Sequence, residues 1–223
     1  MEGCCPVVEL RRYTLHPGTR DTLIRIFDEH FIEGQERCGM RIIGQFRDLD
    51  DPDRFVWLRG FADMDARTRA LEAFYGGPVW KEHGPAANAT MVDHTDVLLL
   101  RPAPGTAGFR FDPRLRPEQD SPAVAGGVVV ATIDHLDGRT AAETAPGPSG
   151  LEEAAVLARL VTEPAPNPFL RLPVRADANV LVTFSSYAAA GAYHPALGVP
   201  RREHLRLEPT RRSYLRHGLS PLP

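Results

Sequence analysis

The sequence predicts an α+β fold: two tandem ferredoxin-like modules, each βαββαβ, whose antiparallel sheets form an α+β barrel. Three observations predict it. Strand-like and helix-like periods run in the order β-α-β-β-α-β through the first half of the chain. The same order repeats, with a weaker second helix, through the second half. Between them, PAPGTAGFRFDPRLRPEQDSP (Pro102 to Pro122) is dense in proline and glycine and has no period, the mark of a connector. The modules therefore span 1–103 and 124–223, joined by 104–123.

In the first module, VVELRRYTL alternates, placing Glu9, Arg11 and Tyr13 on one side of a strand and Val8 and Leu10 on the other, before a Pro17-Gly18 turn. TRDTLIRIFDEHFIEGQERCG reads as a helix because Leu23, Ile26, Phe27 and Phe31 recur at helical spacing; Thr19 or Asp21 can cap its start and Gly39 can end it. MRIIGQFRDL and RFVWLRGF make a hairpin around DDPD. ADMDARTRALEAFYGG is an amphipathic helix ended by Gly76-Gly77, PVWKEHGPAANA a short helical or irregular piece, and TMVDHTDVLLLRP the closing strand.

In the second module, GGVVVATIDHL is a strand, SGLEEAAVLARLVTE a helix with Ser149 as cap, and NVLVTFSSY a strand. FLRLPVRA reads as a short strand interrupted by Pro173, residues 188–197 as a shortened helix, and EHLRLEPTRRSYL as the final strand. A ferredoxin-like sheet leaves one face bare, and two bare faces can close on each other. That arrangement sends Glu9, Arg11 and Tyr13 into the barrel interior and Leu10 toward the helices. Because a buried charge costs several kcal/mol, Glu9 and Arg11 must then be paired with each other, with other residues, or with a ligand or water, in a polar pocket.

Composition narrows the partners. A net charge of −3 and a pI near 6.2 give no basic footprint for nucleic acid. Three cysteines without CxxC spacing suggest neither a disulfide framework nor zinc, so reduced thiols in the cytoplasm are expected. Neither a run of about 18 apolar residues nor a signal-peptide pattern is present, so no membrane partner is expected.

VVELRRYTLHPG together with RFVWLRGFADMDARTRALEAFYGGPVWKEHG resembles the NIPSNAP family of dimeric α+β barrel proteins. The matching elements are an E-L-R-x-Y-x-L-x-P-G strand, a Trp-bearing strand leading into an Arg-bearing helix start, and an F-Y-x-x-P-x-W segment, over residues 6 to 102. The resemblance implies the tandem ferredoxin-like fold, with a barrel formed within the chain or across a homodimer, and carries over no catalytic residue. Proteins with similar barrels include cofactor-independent oxygenases, cyclases, dehydratases and haem proteins, an analogy of fold alone.

The candidate chemistry is concentrated in the first module. Alternation in FVWLRGF groups Trp57 and Arg59 with Glu9, Arg11 and Tyr13, an aromatic and guanidinium wall suited to a planar anionic or enolic ligand. Tyr75, Trp80, His83 and Asn88 cluster before the closing strand, where His83 can act as acid or base near neutral pH. In MVDHTDV, Asp93 and His94 fall on opposite faces, with Asp96 on the face of His94; either face offers a base, and the pair His94 and Asp96 is too sparse for a metal. IDHLDG and SSYAAAGAYHP bring no GxSxG elbow, and GxGxxG, Walker and CxxCH motifs are missing. The expectation is a cofactor-independent enzyme performing acid/base chemistry on an enolisable or phenolic small molecule. His83, Asp93 and His94 are the candidate bases, and Glu9, Arg11, Tyr13, Trp57, Arg59, Tyr75 and Trp80 line the site. The alternatives are a non-catalytic binding or scaffold protein and a non-covalent haem protein with His83, His94, His135 or His194 as axial ligand.

Overall fold

The computed structural model describes residues 4–106, 108–121, 127–136, 138, 155–193 and 201–218. Its strands are β1 (Val7–Leu15), β2 (Arg41–Asp48), β3 (Arg54–Phe61), β4 (Met91–Pro102), β5 (Val128–His135), β6 (Ala155–Thr162), β7 (Val180–Tyr187) and β8 (Arg202–Pro209). They close an antiparallel barrel in the order β1-β3-β2-β8-β5-β7-β6-β4. Each module keeps the ferredoxin-like order, β4-β1-β3-β2 in the first and β8-β5-β7-β6 in the second. The modules join at two short seams, Phe46↔Pro209 to Asp48↔Leu207 and Leu100↔Thr162 to Pro102↔Leu160. One chain is therefore enough to close the barrel.

Helices cover the first module. α1 (Arg20–Ile26) continues through a π-turn (Phe27–Phe31) into α2 (Ile32–Arg37), and Gly39 ends the run at φ +95°, a conformation open to glycine. Thr19 sits at the N-cap, but its hydroxyl donates to the carbonyls of His16 and Thr90 instead of capping α1. α3 (Met64–Gly76) starts at Asp63, whose carboxylate accepts from the Ala66 amide. The segment left open between helical and irregular is α4 (Pro78–Asn88), where Pro78 takes the first position that tolerates it.

The direction of the sheet faces is the reverse of the expectation. Val8, Leu10, Val56, Leu58, Leu98 and Leu100 point inward and meet Val129, Ala131, Ile133, Leu160, Val182, Phe184, Leu205 and Leu207 in one apolar cluster that fills the barrel. Glu9, Arg11 and Tyr13 instead face outward beneath the helices, with Tyr13 in one apolar cluster with Phe27, Phe31, Leu71 and Phe74. The physical reason is room: an eight-stranded barrel holds little more than its own side chains, and compact aliphatics fit there better than arginines and tryptophan. The expected polar barrel pocket is an apolar core.

The second module departs from its sequence reading in several elements. Residues 155–162, expected as part of a helix, form β6 between β7 and β4. A short alanine- and leucine-rich run carries no decisive period, and pairing on both sides overrides its helical preference. FLRLPVRA is not a strand: it crosses to the first module, where Phe169 and Leu172 are buried with Phe31 and Phe74. Of the helix expected over 188–197, the described residues contain a 3-10 turn at Ala190–Ala192; Ser149 and residues 194–197 lie outside the described residues. The last strand stops at Pro209, and Ser213 and Leu215 turn back to bond the backbone of β2. Cys4 and Cys5 form a vicinal disulfide in place of the expected reduced thiols, while Cys38 is free. Adjacent cysteines close no framework that spacing could reveal.

Candidate functional site

Glu9 on β1 stands opposite Arg59 on β3, and alternation puts Arg11 and Trp57 on the same side. One Glu9 oxygen, Oε2, accepts from Arg11 Nη1 and Arg59 Nε, each at 2.7 Å, and Oε1 accepts from Arg67 Nε at 2.6 Å. All four side chains are fully buried. Burial opposes ionisation of Glu9, but Arg59, Arg11 and Arg67 together outweigh it and hold the carboxyl well below the usual carboxylate range. One carboxylate among three guanidiniums leaves two positive charges in excess. Arg11 and Arg59 also lie over the Trp57 ring, at 5.6 and 5.0 Å from its centre, where the ring's negative face offsets part of that charge. The Nη2 atoms of Arg11, Arg59 and Arg67 and the Trp57 Nε1 have no hydrogen-bond partner.

A cavity of about 350 Å³ adjoins this cluster, between the outer face of β1 and β4 and the helices α3 and α4. Tyr13, Tyr75, Trp80, His94, Phe169 and Arg171 form its walls, with the exposed Asn88 also on the lining. An inner recess continues past Tyr13 and Tyr75 to Trp57 and Gln35. The two phenols connect cavity and cluster: Arg11 Nε donates to Tyr13 Oη at 2.9 Å, and Arg59 Nη1 donates to Tyr75 Oη at 3.4 Å and to Gln35 Oε1 at 3.0 Å. Burial, more than the opposing pull of Arg11, pushes the Tyr13 phenol up, so it stays protonated. A phenol that accepts from a guanidinium still has its own proton to give.

Of the residues expected to line the site, Tyr13, Tyr75 and Trp80 form the cavity wall and Trp57 lies in the inner recess, whereas Glu9, Arg11 and Arg59 are buried behind them and outside the lining; the three candidate bases are separated. His94 is on the wall, edge-on to Tyr13 with ring centres 6.2 Å apart. His83 points away from the cavity and stacks on His30 at 3.6 Å. Asp93 is outside the lining; hydrogen bonds from the Thr95 hydroxyl and amide hold its carboxyl below its usual value, which makes it a weaker base. His94 and Asp96 do not share a face as alternation predicts. Arg12 pairs with Asp96 and Thr14 with Asp93, so three steps of β4 oppose two of β1, and this bulge turns Asp96 to Arg12 while His94 meets Tyr13.

Sequence reasoning missed Gln35, Arg67, Asn167, Phe169 and Arg171. Arg67 lies in the Arg-bearing helix start, but nothing in its period marks it as the third guanidinium on Glu9. Phe169 and Arg171 reach the cavity from the second module and Asn167 reaches the cluster behind it: Arg67 Nη1 donates to Asn167 Oδ1 at 2.8 Å, and the Phe169 ring lies over Tyr75. Local sequence carries no signal for such a contact.

The NIPSNAP family model matches residues 8–106. An uncharacterized NIPSNAP domain protein from Burkholderia xenovorans is similar to part of this chain, with 18% identity and a TM-score of 0.41, covering 45% of this chain and 97% of that one. Over the whole chain, the fold is shared with two provisionally named monooxygenases. The one from Fusobacterium nucleatum has 10% identity and a TM-score of 0.60 over 94% of both chains. The one from Lactobacillus acidophilus has 13% identity and a TM-score of 0.54 over 92% of this chain and 94% of that one. No curated protein matches the chain. It is the first module, with the Glu9-Leu10-Arg11 strand and the Phe74 to Trp80 segment, that is similar to the NIPSNAP family.

Proposed function

We propose that the protein is a small-molecule enzyme that performs acid/base chemistry on an enolisable or phenolic substrate, in the cavity beneath α3 and α4. The observation that carries this reading is that two phenols, each accepting from a buried arginine, front the same cavity as a histidine. His94 takes the proton from the activated carbon or hydroxyl, a role imidazole suits near neutral pH. Negative charge then grows on the substrate oxygen, where Tyr13 and Tyr75 donate and Arg11 and Arg59 polarise them from behind. Trp80 and Phe169 hold a planar substrate between ring faces. The carbanion or phenolate so formed is a common starting point for cyclisation, dehydration, rearrangement or addition of oxygen.

The separation of the candidate bases, of which only His94 fronts the cavity, favours a second reading, a metabolite-binding protein without turnover. A panel of phenols and 1,3-dicarbonyls separates the two. His94→Ala is expected to keep ligand binding and to lower turnover by about 10²–10⁴-fold, the usual share of a general base. Binding without turnover by the unaltered protein would establish the second reading, and full activity in His94→Ala would remove His94 as the base.

A further inference from the structure

We infer that the cavity takes its ligand as the conjugate base of a phenol or enol, selecting a delocalised anion over the neutral acid. This rests on the cavity being the functional site and goes further, because it specifies the ionisation state in which the ligand is held.

The electrostatic setting is lopsided. Glu9 supplies one negative charge and Arg11, Arg59 and Arg67 three positive ones, all fully buried, where screening by water is weak. Arg67 and Arg59 spend their remaining bonds on neutral acceptors, Asn167 and Gln35, so neither adds a compensating anion. Three Nη2 atoms and the Trp57 indole N–H are left without partners in the same layer. Each guanidinium is paired with the same carboxylate, so the layer keeps a net positive charge, and an anion in the adjoining cavity is attracted to it across a poorly screened interior.

The groups that face the ligand agree. From β1 comes Tyr13, from α3 Tyr75, from β4 His94, and from the second module Arg171; α4 adds the neutral Trp80 and Asn88. No carboxylate lines the cavity among the described residues. The guanidiniums of Arg11 and Arg59 act through phenol hydroxyls and do not reach the ligand themselves, so the cavity offers an anion two O–H donors at its inner end and ring faces along its walls. A delocalised anion with one oxygen terminus fits this better than a strongly hydrated oxyanion needing several direct charged donors.

The test is the acid–base titration of bound 4-nitrophenol, which absorbs visible light only as its anion. In the unaltered protein the bound probe is expected to change colour at least about one pH unit below the free probe, a tenfold preference for the anion. Tyr13→Phe/Tyr75→Phe, which removes both hydroxyls and keeps every arginine, is expected to bind the probe with its midpoint returned toward the free value. Asn88→Trp, which puts a bulky ring on the cavity lining, is expected to abolish binding. A bound probe with an unshifted or raised midpoint overturns the inference while leaving the cavity as a binding site. A midpoint unchanged by the double substitution also overturns it, because the phenols would then not carry the effect. Binding that survives in Asn88→Trp, or no binding at all, overturns the underlying reading of the cavity.

Discussion

Glu9 is the residue on which the site depends, and its importance follows from charge arithmetic. Remove its charge and three buried guanidiniums face one another without an acid between them. Glu9→Gln is expected to destabilise the protein by about 3–5 kcal/mol, read as a lower urea midpoint at neutral pH. The pH dependence has a definite sign: because the folded-state carboxyl is held below its unfolded value, its contribution is fully present above about pH 4.3 and is lost as pH falls below that. Asp28 behaves in the opposite way. Burial, only partly countered by Arg212, pushes its carboxyl up to about 6, so the folded state favours the neutral acid and stability declines as pH rises from about 4 to 6. Asp28→Asn is expected to raise the urea midpoint at pH 7 and to flatten that decline; an unchanged midpoint would mean that the Asp28 carboxylate is not strained by burial.

At the scale of the element, a strand's alternation fixes which side chains share a face and leaves open which way the face points. β1 shows why: nearly every residue from Val7 to Leu15 is buried, so exposure could not break the tie. The grouping of Glu9, Arg11, Tyr13, Trp57 and Arg59 was therefore legible, and its direction was not. β6 was illegible for a related reason, since a short apolar run suits strand or helix and its neighbours decide. The bulge in β4 needs partner strands to be seen at all. Close packing between elements yields one sharp prediction. A Cβ at Gly60 would sit 2.5 Å from the Cβ and Sγ of Cys5, so Gly60→Ala is expected to cost about 1–3 kcal/mol, measured by thermal unfolding. The contact from the second module gives another. Asn167→Ala leaves Arg67 Nη1 without its acceptor and is expected to loosen the 167–172 segment, read as faster amide exchange there.

At the scale of the whole molecule, two modules close one barrel and only the first is covered by the NIPSNAP model. The second module does two jobs: it seals the apolar faces of β1, β3 and β4, and it sends Phe169 and Arg171 across to the cavity and Asn167 to Arg67 behind it. A fragment ending at residue 106 would expose Val8, Leu10, Val56, Leu58, Leu98 and Leu100 together with the free edges of β2 and β4. It is expected to sediment as a dimer or larger species, and a well-folded monomer would show that the barrel interior is not what holds the modules together.

The central claim is that the ligand sits between sheet and helices and not inside the barrel. Trp57 and Trp80 are the chain's two tryptophans, one in the inner recess and one on the cavity wall. The most direct measurement is their fluorescence during titration with a phenolic ligand whose binding is followed independently by equilibrium dialysis. The expected result is a change in emission that saturates with binding and is mostly lost in Trp80→Phe. Saturable binding with no change in emission from either tryptophan would place the ligand elsewhere and contradict the claim.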